Sequence, residues 1–374
     1  MRDIVSFPFA SLFLLLLLVI TAIKGSVTGQ TRAADHFLHL PVIVKPIPLV
    51  AGIREPLLID GEEGRIYATA RVDGKLQTVV LATADGRYLD SYPYTGCLAL
   101  DRDHHWLLID QGDEGVVMVD SLSGHYLGLI DVPDAGPPLA DPQVDPGLGF
   151  GYAFRHQKVY TLDVQNQAIT GSRTLFVPLL VCGDHQGAAP ITRSYYDLLS
   201  NTLYISFNTW VCTGFLSDTI HIYDAASWHK WGEYSTPSHY QAVPFAANLY
   251  GLSHLTRLSM HAFWARGQTQ TWYEKSGRGN SISLAGNVVD WSRGLLYEAY
   301  WEYKPDNDVD KLIRVSRTGD RHALAIVSYD REPIQDARLV GHDPHTDQLY
   351  FLDQGVLYIV PTTSILPVGD TRIG

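Results

Sequence analysis

One two-part pattern recurs seven times between Leu57 and Val360, and it restricts the fold more than any other feature of the chain. An apolar strand runs into an Asp-led turn and a Leu-Tyr-like strand; a further strand then ends in a polar turn. The first part reads Asp60-Gly-Glu-Glu-Gly-Arg-Ile-Tyr67, Asp101 to Leu108, Asp145 to Tyr152, Asp197-Leu-Leu-Ser-Asn-Thr-Leu-Tyr204, a degenerate copy near Asn248, Asp290-Trp-Ser-Arg-Gly-Leu-Leu-Tyr297 and Asp343-Pro-His-Thr-Asp-Gln-Leu-Tyr350. The second part follows in register, as in Val79-Val-Leu-Ala-Thr-Ala-Asp-Gly86 and Val117-Met-Val-Asp-Ser-Leu-Ser-Gly124. Several short strands per unit, repeated at about forty to fifty residues, are what a bladed β-propeller leaves in a sequence. The expected fold is therefore all-β, a propeller of seven four-stranded blades, with six blades as the alternative because the fifth copy is irregular.

A propeller spends its length on radial repetition, so within the 374 residues a single domain over 42–374 is expected rather than several. With 46% hydrophobic and 18% charged residues the chain can cover large inter-blade surfaces, which excludes intrinsic disorder. The formal charge of −12, with no cluster of Lys and Arg, argues against a nucleic-acid partner.

Residues 1–29 differ in kind. Arg2 precedes the apolar run Ala10–Ile23, and small and polar residues follow to Gln30, as in a secretory signal peptide or an uncleaved N-terminal anchor. Cleavage is expected near Val27-Thr28-Gly29, with a spacer over 30–41, and the chain is expected to be secreted or held at the cell surface, touching a membrane only through an uncleaved N-terminal segment. Val42-Ile-Val-Lys-Pro-Ile-Pro-Leu-Val50 is strand-like, and its two prolines suit an edge, so it is one candidate for the outer strand of the last blade. Ile365-Leu-Pro-Val368 is the rival.

In a meander blade the connections between second and third strands share a face with those between blades. The long intervals Pro133–Pro142, Pro178–Pro190, Asn208–Asp218, Ser235–Pro244, Glu302–Asp310 and Asp330–Asp336 all fall there. Loops carry recognition on a rigid scaffold, so this face is the expected functional one. Cys182 and Cys212 both belong to it and form the candidate disulfide. Cys97 opens an innermost strand and is expected to be a buried thiol.

The strands that end in Asp-x-x-Thr/Ser-Gly, Val117-Met-Val-Asp-Ser-Leu-Ser-Gly124, Leu312-Ile-Arg-Val-Ser-Arg-Thr-Gly319 and, more loosely, Ile220-His-Ile-Tyr-Asp224, resemble those of the YVTN-type and related seven-bladed propellers of exported bacterial proteins. The resemblance covers most of the chain after Leu57. It implies fold and export, while the functions of such propellers range over binding platforms, surface-layer components and enzymes.

The Asp that opens each first turn reads as a turn cap, not as part of a carboxylate ring. Asp306, Asp308 and Asp310 alternate in a long interval, a spacing that can offer oxygen ligands to calcium, although an EF-hand would need Gly at Lys311 and Glu at Arg317. No other cofactor is indicated. Seven of the eight tryptophans fall between Trp210 and Trp301. Trp228, Trp231, Trp264, Trp272 and Trp291 read as inter-blade packing, whereas Trp210, Trp301 and Tyr303 could reach the long-loop face and meet a sugar or a peptide side chain. The fifteen histidines show no metal-ligand spacing, and no nucleophile elbow or sialidase-type Asp box occurs. The expected function is thus a non-catalytic, exported propeller that binds a cell-surface protein or glycan. The alternative is a metal-assisted hydrolase or lyase, lactonase-like, with its site in the axial funnel, where several first strands would have to supply His, Asp or Glu.

Overall fold

The computed structural model describes residues 51–365 apart from connecting stretches at 135, 137, 139–141, 146–148, 176–178, 183–184, 189–190, 198–200, 212–214, 237–239, 246–247, 254–256, 265–268, 277–280, 291, 304–308, 318–322 and 329–335. These residues form a β-propeller. Six four-stranded antiparallel meanders, blades one to six, span 51–92, 97–130, 143–174, 191–236, 240–276 and 281–328. The seventh repeat is present as a three-stranded closing sheet over 338–361. First strands of successive sheets lie side by side, and that of the closing sheet, Arg338–Asp343, meets those of both blade six and blade one. The ring is thereby shut, which removes the inner sheet edges.

Each seam is an apolar core drawn from two neighbouring sheets. Ile66, Ala68, Val79 and Leu81 of blade one pack with Tyr350 and Leu357 of the closing sheet, while Tyr67 and Val80 on the opposite face pack with Leu107, Ile109 and Val119 of blade two. A strand alternates its side chains between two faces, so both faces of each blade must be apolar; this explains the near-continuous hydrophobic runs.

The repeated residues hold the turns and seams. Asp101 accepts from the backbone N–H of His104, Asp290 from those of Ser292 and Arg293, and Asp343 from that of His345. Four positions after each of these aspartates the backbone turns left-handed, at His105, Gly294 and Asp347, as it does at Gly64, Gly149 and Asn201 in the equivalent turns. The repeated Tyr of the second strand then reaches the next sheet. Tyr67 donates to the carbonyl of Ser121 (3.0 Å) and Tyr350 to that of Thr83 (3.1 Å). Each acceptor directly follows a third strand.

Several expectations change. The interval Asn208–Asp218 is paired strand rather than loop, because Thr202–Val211 and Phe215–Asp224 continue as one hairpin with Trp210 opposite Leu216. Pro178–Pro190 holds a two-stranded hairpin, Leu179–Cys182 with His185–Ala188, set against the second strand of blade four. Cys97 is half-buried, not buried. Ile365 follows a short 3-10 turn, Thr362–Ser364, and is buried between blade six and the closing sheet. Both halves of the outer-strand question, 42–50 and 366–368, lie outside the described residues, as does the N-terminal region 1–41.

Among the described residues two ion pairs are fully buried: Arg155 with Asp110 across the seam of blades two and three, and Arg314 with Glu298 on adjacent strands of blade six, Nη1 to Oε2 3.3 Å. Burial raises the Glu298 carboxyl to about 7, with Arg314 opposing the shift. A raised acid pKa means that the folded state holds its proton over a range where the unfolded chain has released it. Stability should therefore fall as pH rises from about 4.5 to about 7 and level off above, by about 3 kcal/mol at about 1.4 kcal/mol per unit. Urea midpoints at pH 5 and pH 7.5 check this, and the part of the fall due to this group should vanish in Glu298→Gln.

Candidate functional site

The face that sequence set aside carries the clearest departure from the repeat. After the third strands of blades one to three a turn places one residue in the left-handed region: Gly86 (φ 69°) in blade one, Gly124 (69°) in blade two, Gln167 (53°) in blade three. In blade four the residue is Trp228 (59°), whose N–H bonds back to the carbonyl of Asp224 as that of Gly124 does to Asp120. A bulky side chain in this conformation costs about 1–2 kcal/mol relative to Gly, so something must compensate for it.

The seam itself is rebuilt around that indole. Between blades one and two, Tyr92 fills the space beside Gly124: a Cβ there would come within 2.4 Å of the Tyr92 ring, and the Tyr92 hydroxyl donates to Ser121. Tyr92 stands opposite Thr78, two residues before Val80, the partner of Tyr67. The same register in blade three, with Tyr152 opposite Thr161, puts Arg173 opposite Val159. Arg173 extends outward to the carbonyl of Ser227 (3.3 Å). Blade three therefore supplies no ring here; blade four supplies it from the other side as Trp228.

The exchange leaves a groove of about 770 Å³ open to solvent, lined by Phe150, Tyr152, Tyr196 and Trp228 with Asp163 and Asn201 at its edges. Tyr152 meets both Tyr196 and Trp228 edge-on, with ring centroids 5.7 Å apart in each pair. Phe150 is 38% exposed. The Tyr196 hydroxyl lies within hydrogen-bond reach of Asp145 (2.9 Å) and Asn201 (2.8 Å), which share its one proton. Tyr152 departs from the Tyr67 rule: among the described residues its hydroxyl makes no hydrogen bond. Burial raises that phenol, and Asp145 and Asp224 raise it further. Asp163 is held below the usual carboxylate range by the side-chain and backbone N–H groups of Asn166, and Asp224 by the N–H and hydroxyl of Ser227. Both are anions at neutral pH.

The residues singled out from sequence sit elsewhere. Trp301 packs at the seam of blade six and the closing sheet, with Lys311 Nζ 5.5 Å from its ring centroid and bonded to Asp336. Tyr303 ends the same strand, opposite Ser281 and Val309, and Asp310 stands opposite Glu302. Asp306, Asp308 and Cys212 lie outside the described residues, so the calcium site and the Cys182–Cys212 bond do too; Cys182 pairs by backbone with His185. Among the described residues no three His, Cys, Asp or Glu side chains converge on a metal position. Trp228, assigned from sequence to inter-blade packing, does pack against the core between blades three and four, and its half-buried ring also lines this groove. Its signal was in the sequence: Asp224-Ala-Ala-Ser-Trp228 puts Trp where Asp120-Ser-Leu-Ser-Gly124 has Gly.

No family model matches the chain, and no curated protein is significantly similar to it. Its architecture is shared with solved propellers at low identity. The β-propeller domain of Cps50 (Swd1) from Myceliophteria thermophila superposes with a TM-score of 0.57 at 12% identity, covering 85% of this chain and 99% of that one. The U3-55K structure gives 0.53 at 11%, covering 85% and 100%, and the WD40 repeats of RRP9 give 0.53 at 11%, covering 86% and 99%. At these identities the likeness establishes the fold alone.

Proposed function

We propose that this propeller is a non-catalytic docking platform that seats a segment of a protein partner in the groove between blades three and four. The observation that carries the reading is Trp228, a strained aromatic residue at a glycine position, opposite a seam that has given up its own ring. Strain of this kind persists where the surroundings over-determine it, and such positions gather at binding sites. A groove of this size takes a few side chains, and its aromatic floor suits a bulky apolar residue of an extended segment. The solved propellers of the same architecture include WD40 repeats, whose radial scaffold leaves its turns available for contacts. We further place the platform outside the cell, as a YVTN-like exported protein whose residues 1–29 act as leader or anchor and whose partner is a cell-surface protein; this rests on the apolar run before Lys24 and the Asp-x-x-Thr/Ser-Gly strands.

Trp228→Gly separates binding from folding. Relief of about 1–2 kcal/mol of backbone strain offsets the lost burial of a half-buried ring, so stability should stay within about 1 kcal/mol of wild type. Peptides captured by the full chain from a random display library should lose at least tenfold in affinity for the variant. If a panel of cell-wall sugars quenches Trp228 fluorescence and no peptide is captured, a glycan takes the place of the protein segment. Peptides that bind both forms equally would remove the groove from the function.

A further inference from the structure

Resting on that docking reading, we infer that the partner segment places a basic side chain, arginine or lysine, in the groove beside Trp228. Three observations converge. Asp163 lines the groove and Asp224 opens the turn that carries Trp228; both are ionised, and their hydrogen-bond donors are neutral, Asn166 for the first and Ser227 for the second. At other positions in the ring carboxylates meet a cation of this chain, Asp60 with Arg102, Asp110 with Arg155, and Asp290 and Asp347 with Arg293. Asp120, the counterpart of Asp224 in blade two, is capped by Ser123 in the same neutral way, but among the described residues it has no groove beside it lined by an unbonded tyrosine hydroxyl. Arg173 points to the Ser227 carbonyl and is not part of the lining.

The second observation is the Tyr152 hydroxyl. Tyr152 is 7% exposed, lines the groove, and among the described residues has no hydrogen-bond partner, while the equivalent Tyr67 and Tyr350 donate across their seams and Tyr297 accepts from Arg293. A guanidinium or ammonium can donate to the lone pairs of such an oxygen, an interaction that the surrounding carboxylates strengthen. The third is the aromatic floor. Cations are drawn to ring faces, most strongly to that of tryptophan, and planar guanidinium stacks there while its edge still reaches carboxylates. The chain's formal charge of −12 favours the encounter with a basic segment.

The test uses the full 374-residue chain and the display-library peptides that lose affinity for Trp228→Gly. In each, the basic residue is replaced by norleucine, and dissociation constants are read at 0.05 and 0.5 M NaCl. The expected result is that every such peptide carries Arg or Lys, that norleucine weakens it at least tenfold, and that Asp163→Asn, a change at a half-buried residue outside the core, weakens the parent peptide several-fold and flattens its salt dependence. Groove-dependent peptides that lack a basic residue, or that bind equally well with norleucine, overturn the inference and leave the docking reading in place. Absence of any peptide sensitive to Trp228→Gly overturns both.

Discussion

Arg155→Met should cost about 3–5 kcal/mol of unfolding free energy, the usual penalty for stranding one member of a buried ion pair. Neither Arg155 nor Asp110 has any exposed side-chain surface. Arg155 Nη1 donates to Asp110 Oδ2 (2.6 Å) and to the carbonyl of Phe154 (3.0 Å); Nη2 donates to Asp110 Oδ1 and to the carbonyl of Gly112 (3.1 Å). Removing the guanidinium leaves a bare carboxylate between two blades. The double variant Asp110→Leu/Arg155→Met removes both charges and should recover part of the loss. A residue of about 1–3 kcal/mol should remain, because the Gly112 N–H that Asp110 accepts is then orphaned. Urea unfolding of the three proteins measures this. A single-variant loss below about 1 kcal/mol would mean that the pair is hydrated and is not a seam element.

Gly286→Ala should be comparably damaging for a steric reason. Gly286 sits at a register shift in the first strand of blade six with φ +125°, and a Cβ there would lie 2.0 Å from the carbonyl oxygen of Leu339 in the closing sheet. The obstacle is backbone, so no side chain can swing aside. Conformational strain of about 1–3 kcal/mol and overpacking of a similar size give a total of about 2–6 kcal/mol. Gly171→Ala is the matched control: no atom lies within 4 Å of its Cβ position, and a change between about zero and 1 kcal/mol of stabilisation is expected. Similar midpoints for the two variants would show that blade six and the closing sheet are not in such close contact.

The propeller was legible because its turns are chemically forced. An aspartate that caps a turn, followed four positions later by a residue able to take positive φ, cannot be displaced without loss of the hairpin, so the period survives where strand residues vary. Asn208–Asp218 misled because polar residues in a hairpin that extends beyond its blade look like loop residues; only cross-strand register shows Trp210 opposite Leu216. The groove was hidden for a related reason. That Trp228 takes a glycine position is visible in one turn, but its meaning depends on Arg173 standing where Tyr92 stands two blades earlier, a correspondence fixed by pairing and not by spacing. The ion pair of Asp110 and Arg155, 45 residues apart, likewise belongs to a seam that no local pattern encodes.

The tyrosine bonds between sheets all point the same way round. Tyr67 waits for Ser121, 54 residues downstream, but Tyr350 reaches back 267 residues to Thr83. A chain emerging from the ribosome can therefore make its early seams over short separations as it grows, whereas the last seam must join the two ends of the ring against the largest loop entropy. Until then blade one keeps one apolar face without a neighbour, and that interval is when this molecule is most exposed to association with another copy of itself.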